Sequence, residues 1–84
     1  MQNIYLTVRS VTPGQKGREA LERAGIRCRL RRAPGAIAPG GCAYALVLPA
    51  EAEPEALEIR ERAGVRVEGR YLRDPEGSFR RLGS

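Results

Sequence analysis

A six-residue segment that occurs twice constrains this chain more than any other feature. Glu22-Arg23-Ala24-Gly25-Ile26-Arg27 reads almost the same as Glu61-Arg62-Ala63-Gly64-Val65-Arg66, and Glu-Ala-Leu-Glu also occurs twice, at Glu19 and at Glu55. Each copy reads as the end of a helix, a glycine and the start of a strand. Glycine just past a helix closes it in the left-handed conformation, because it has no Cβ to clash. Two such junctions in 84 residues imply a duplicated β-α-β unit. A chain of that length holds one core.

Alternation supplies the strands. Ile4, Leu6 and Val8 alternate with Tyr5, Thr7 and Arg9, the period of a half-buried strand. Thr12-Pro13-Gly14-Gln15 then opens a helix. Thr12 can cap it, Pro13 suits its first position and Gln15 completes a capping box. Gly17, Ala20, Leu21 and Ala24 share one helical face. The glycines lower its propensity, so the sheet must hold it. A second strand runs from Ile26 to about Arg31, with Ile26, Cys28 and Leu30 facing in and Arg27, Arg29 and Arg31 facing out. Ala33 to Gly41, with two prolines and three glycines, is a loop. Cys42 to Leu48 is the third strand. Pro54 starts the second helix, with Ala56, Leu57, Ile59 and Ala63 inward. Val65 to Leu72 is the fourth strand, with Val65, Val67 and Tyr71 on one side, and Asp74-Pro75-Glu76-Gly77 ends it.

The order β-α-β-β-α-β with two interleaved right-handed crossovers predicts an α+β, ferredoxin-like plait. Its four antiparallel strands run in the order 4-1-3-2, with both helices on one face. Residues 1–73 form this domain and 74–84 a short basic tail. The other face is open. Tyr5, Thr7, Ala43, Ala45 and Val47 make a mostly apolar strip along it. Such a strip calls for a cover: a partner, a second copy of the chain giving a homodimer, or the tail through Phe79 and Leu82. The entropy cost of ordering so short a tail favours the first two.

The formal net charge is +5, and Lys16 is the only lysine. That balance admits nucleic acid, acidic proteins or small anions without choosing among them. No apolar run approaches the roughly 20 residues that span a bilayer. Met1 to Arg9 has no basic lead, apolar core and small-residue cleavage site of a signal peptide, so the expected location is the cytoplasm. With two cysteines and no histidine, neither a zinc site nor a histidine base is expected. No CxxC pair, phosphate loop or dinucleotide fingerprint occurs, so no metal or cofactor is expected.

The chemistry therefore rests on Cys28 and Cys42. Cys28 aligns with Val67 in the repeat and is expected in the core, where a thiol behaves as a small hydrophobe. Cys42 follows Pro39-Gly40-Gly41 and opens the third strand, near the N-terminus of the first helix. The backbone N–H groups of Thr12, Gly14 and Gln15 would lie beside it, with Arg9, Arg31 and Arg32 at the same rim. A helix N-terminus and nearby guanidiniums lower a thiol's pKa. The plain alternative is that Cys42 only begins a buried strand. A symmetric hairpin sets Cys42 opposite Arg31 or Arg32 rather than Cys28, beyond disulfide reach. Arg27, Arg29 and Arg31 form a stripe that suits nucleic acid, but charge on an edge strand also deters pairing with another chain, and that is the simpler reading. Tyr5 and Tyr44 lie on central strands, but the third strand lacks the basic-glycine-aromatic consensus of an RNA-binding sheet.

Ala24-Gly25-Ile26, Arg32-Ala33-Pro34, Gly41-Cys42 and Ala63-Gly64-Val65 resemble the pattern of small bacterial proteins described as selenium/sulfur (Se/S) carrier-like. The resemblance runs from about Ile4 to Tyr71. By position Cys42 matches that family's cysteine, although Ala43 follows it where many members have glycine. The resemblance implies a thiol-based sulfur or selenium carrier or accessory protein rather than an enzyme. Cys42 would hold the atom as a persulfide-type adduct, exchanged with a donor or acceptor protein. The competing reading is a non-enzymatic binding module that docks a protein, itself or RNA on its open sheet face.

Overall fold

The computed structural model describes residues 2–38 and 43–83. The repeated glycines do what their positions require. Gly25 and Gly64 take φ of 83° and 76°. At the first junction Gly25 N–H donates to the Glu22 carbonyl and Ile26 N–H to that of Leu21. At the second, Gly64 donates to Glu61 and Val65 to Arg60. Each is a Schellman closure, in which the residue after glycine turns back onto the last helical turn. Ile26 and Val65 are buried as a result.

The elements are β1 (Asn3–Val8), α1 (Val11–Arg23), β2 (Arg29–Arg32), β3 (Tyr44–Pro49), α2 (Glu53–Ala63), β4 (Gly69–Arg73) and β5 (Phe79–Gly83). Short 3-10 turns occur at Gly35–Ile37 and Ala50–Ala52. All strand pairs are antiparallel, in the order β2-β3-β1-β4-β5. The expected four-stranded sheet is thus corrected to five strands. Residues 79–83, expected in the tail, pair with β4, which is not an edge. Asp74-Pro75-Glu76-Gly77 is a hairpin turn rather than a terminus. Asp74 Oδ1 accepts the Ser78 N–H at 2.9 Å, and Gly77, at φ 93°, donates to the Asp74 carbonyl.

Both helices lie on one face. Ile4, Leu6, Val8, Leu46 and Leu48 of the sheet pack there with Leu21, Ala56, Ile26, Cys28 and Val65. The glycines of α1 explain how so weak a helix docks. A Cβ on Gly14 would lie 2.6 Å from Leu30 Cδ1, and one on Gly17 2.9 Å from Leu46 Cδ1. Their bare backbone lets α1 sit close on the sheet, so packing replaces the propensity they lack. The helix opens at Val11 with Ser10 as N-cap in extended conformation and no side-chain cap bond, so the Thr12–Gln15 capping box is not formed. Paired strand begins at Arg29 and at Tyr44, later than Ile26 and Cys42. At α2, Arg70 Nε donates to Glu53 Oε2 at 2.7 Å and ties β4 to the start of the helix.

The opposite face is covered rather than open. Tyr5, Ala45 and Val47 are buried together with Ile37 from the β2–β3 loop, and Ala33, Tyr71 and Phe79 pack against them. Phe79 meets Tyr5 edge to face at 4.9 Å. Leu82, one strand position out of phase, serves the helix side. Thr7 is also buried on this side, its hydroxyl donating to the Gly69 carbonyl at 3.2 Å. Tyr71 belongs to this face and Val67 to the helix face, so the alternation expected from Val65 through Tyr71 breaks. The apolar strip therefore needs no second copy to cover its centre.

Ending the chain at Arg73 removes Phe79 and Leu82 from opposite faces of the sheet. Burial of one large apolar side chain stabilises by about 1.5–3 kcal/mol, and both residues are half-buried, so the loss should be about 2–3 kcal/mol. Urea unfolding of the two chains measures it. Equal midpoints, with Tyr5 no more accessible to quencher, would contradict the assignment of β5 as a structural strand.

Candidate functional site: two cysteines and an arginine-walled face

Cys28 sits in the helix-side core, 6% exposed. Its Sγ–H points to the Arg29 carbonyl at 3.9 Å. Burial pushes its pKa from 9.0 to about 11; the Glu22 carboxylate adds to the rise and Arg18 opposes it. A thiol so held is a poor nucleophile at neutral pH, because the thiolate is the reactive form.

Cys42 lies outside the described residues. Ala43, which follows it in the chain, is described, and its carbonyl accepts the Ala33 N–H at 2.9 Å beyond the last β2–β3 pair. In that pairing Arg32 faces Tyr44 and Arg31 faces Ala45. Val8 also faces Tyr44, so the β1 end that leads into Ser10 and α1 is at this same margin of the sheet.

The residues expected around the thiol divide between two faces. Arg9 is exposed in the β1–α1 bend, and Thr12 and Gln15 are exposed in the first turn of α1. Gly14 is buried against Leu30, and its N–H donates to the Ser10 carbonyl, so that amide is committed within the helix. Pro13 has no N–H. Among Thr12, Gly14 and Gln15, Thr12 alone keeps a first-turn amide without a helical partner. Arg32 lies with its guanidinium 5.7 Å from the Tyr44 ring centre, and Tyr44 packs on the helix-side core. Arg31 alternates to the other face with Ala45 and Val47.

That other face carries a feature not apparent in the sequence. Arg27, Arg29 and Arg31 line one side of a groove of about 690 Å³, Arg32 borders it at the end of β2, and Arg73 of β4 lines the other side, with Tyr5 and Val47 between them. Arg73 donates to the Tyr5 hydroxyl at 3.2 Å and lies 5.7 Å from the Phe79 ring centre. Alternation exposed the β2 arginines but could not show which strand faces them across the sheet. Tyr44 is on the helix side, so Tyr5 and Tyr44 form no shared platform for bases.

The raised pKa of Cys28 has a consequence for stability. The folded state holds this proton more tightly than the unfolded chain, so the stabilisation is complete below pH 9 and is lost as pH rises toward 11. Urea midpoints across that interval should fall more steeply for the parent chain than for Cys28→Val, which retains the tyrosines and lacks the thiol. Parallel slopes would show that Cys28 is not buried as a protonated thiol.

No helix among the described residues is long and apolar enough to cross a membrane. No three metal-ligating side chains gather among them. Neither a curated protein nor a solved structure matches the chain. A family model described as "Putative Se/S carrier protein-like" matches residues 3–72, from the first residue of β1 to the penultimate residue of β4. The chain belongs to this Se/S carrier protein-like family.

Proposed function

We propose that this protein is a thiol-based sulfur or selenium carrier and that its carrying atom is Sγ of Cys42. One observation supports this reading above the others: of the two cysteines, Cys28 is sealed in the core with its pKa at about 11. Family membership points to carriage of a chalcogen, and a carrier of that kind needs a thiolate it can present. The unused thiol is Cys42.

In the transfer, the Cys42 thiolate attacks the outer sulfur of a donor persulfide. A new S–S bond forms as the donor's S–S bond breaks, and the donor leaves as a thiolate. Cys42 becomes a persulfide, with no net oxidation or reduction. Delivery to an acceptor thiol repeats the exchange in the other direction. Arg9, Arg32 and the Thr12 amide are the groups proposed to favour the anionic sulfur; the Gly14 amide is committed to the Ser10 carbonyl. The donor and acceptor are proteins, and the setting is the cytoplasm.

Incubation with a small-molecule persulfide donor, followed by peptide mapping, tests the assignment. The expected result is added sulfur on Cys42 alone. Alkylation of the folded chain at neutral pH should proceed at least about tenfold faster at Cys42 than at Cys28, because burial holds Cys28 as a protonated thiol. Faster labelling of Cys28, or sulfur transfer that survives Cys42→Ser, would remove the proposal.

A further inference from the structure

The groove on the helix-free face is a separate observation from the thiol assignment and shares only Arg32 with it. Its five arginines come from both sides of the sheet. Arg27, Arg29, Arg31 and Arg32 belong to β2 and its approach, and Arg73 projects from β4, beyond β3 and β1. Strand spacing sets β2 and β4 about 14 Å apart. Charge placed only to protect an edge strand accounts for the β2 arginines. It does not account for Arg73, which is on an interior strand.

No carboxylate side chain among the described residues lines the groove. The ion pairs among the described residues are Arg66–Glu68 and Arg70–Glu53, and neither uses a groove arginine. Arg73 is also held in place, by the Tyr5 hydroxyl at 3.2 Å and the Phe79 ring at 5.7 Å. An oriented guanidinium without an acidic partner is prepared for an anion, and guanidinium geometry suits phosphate oxygens. A concave surface lined by one sign of charge also concentrates counter-ions.

The floor narrows the ligand. Val47, Pro34 and Pro49 offer apolar contact between the arginine walls, and the groove's volume of about 690 Å³ falls in the range of small-molecule clefts. Tyr5 is 6% exposed, with Phe79 against it, so no free aromatic face is offered for successive bases to stack on. We infer that this groove binds a compact organic polyphosphate of nucleotide size, its phosphates on Arg29, Arg31 and Arg73 and its organic body over Val47.

Calorimetric titration of the full chain with ADP, inorganic pyrophosphate and an oligouridylate of roughly ten nucleotides tests this. At about 150 mM salt, ADP should bind once per chain and more tightly than pyrophosphate. Arg73→Gln, and separately the pair Arg29→Gln with Arg31→Gln, should each weaken ADP by about tenfold or more, the size expected for a lost charge-assisted bond. The pair Arg62→Gln with Arg80→Gln, which removes as much charge outside the groove, should leave it unchanged. The side chains of the groove arginines other than Arg73 make no hydrogen bond among the described residues, so their variants should keep the parent's circular dichroism and unfolding midpoint. Absence of saturable ADP binding overturns the proposal, as does equal weakening by the control pair. Pyrophosphate binding as tightly as ADP removes the organic body from it. An oligouridylate that outcompetes ADP, with affinity rising with length, reassigns the groove to single-stranded nucleic acid.

Discussion

Every residue of β1 from Ile4 to Val8 is buried, and the rest of the structure follows from that. A strand whose successive side chains point to opposite faces is buried throughout only when both faces of its sheet are covered. The helices cover one face, docking where Gly14 and Gly17 leave room for Leu30 and Leu46. The other face is covered without a helix. Ile37, 1% exposed, folds in from the β2–β3 loop, and Phe79 packs on Tyr5 from the added fifth strand. A chain this short has few residues to spare for a second layer, which is why one loop isoleucine and one hairpin phenylalanine serve for it.

The same economy decides which groups remain for chemistry. Cys28 is consumed as core, facing the helices with Ile26 and Val65. The helix-free face is closed at its centre, so a large flat docking surface is not available there, but its margins keep their arginines. The two proposals, thiol chemistry and anion recognition, therefore rest on different groups, with Arg32 common to both. One rests on Cys42, outside the described residues, and the other on guanidiniums set across a covered sheet.

What could be read from the sequence was what local chemistry alone decides. Gly25 and Gly64 were legible because a left-handed residue after a helix has few alternatives to glycine. The burial of Cys28 was legible because the repeat aligned it with Val67, which packs on the same core. The fifth strand was not. Phe79-Arg80-Arg81-Leu82 has two apolar residues and two charges, too weak a pattern to mark a strand until β4 supplies a template. Ile37 was hidden for a related reason, since proline and glycine around it announce a loop but not that one loop side chain is buried. The capping box failed because Ser10, not Thr12, takes the extended conformation before the helix. Around the thiol, the sequence could name arginines but not the face each would occupy, and register places Arg31 and Arg32 on opposite sides.

The central functional claim is that one thiol of this chain carries a chalcogen and the other cannot. Intact mass spectrometry of the protein purified without reductant tests it most directly. The account predicts a species heavier by one sulfur or one selenium atom, lost on reduction, absent from Cys42→Ser and retained in Cys28→Val. An adduct that persists in Cys42→Ser, or a parent chain that carries none, would contradict it.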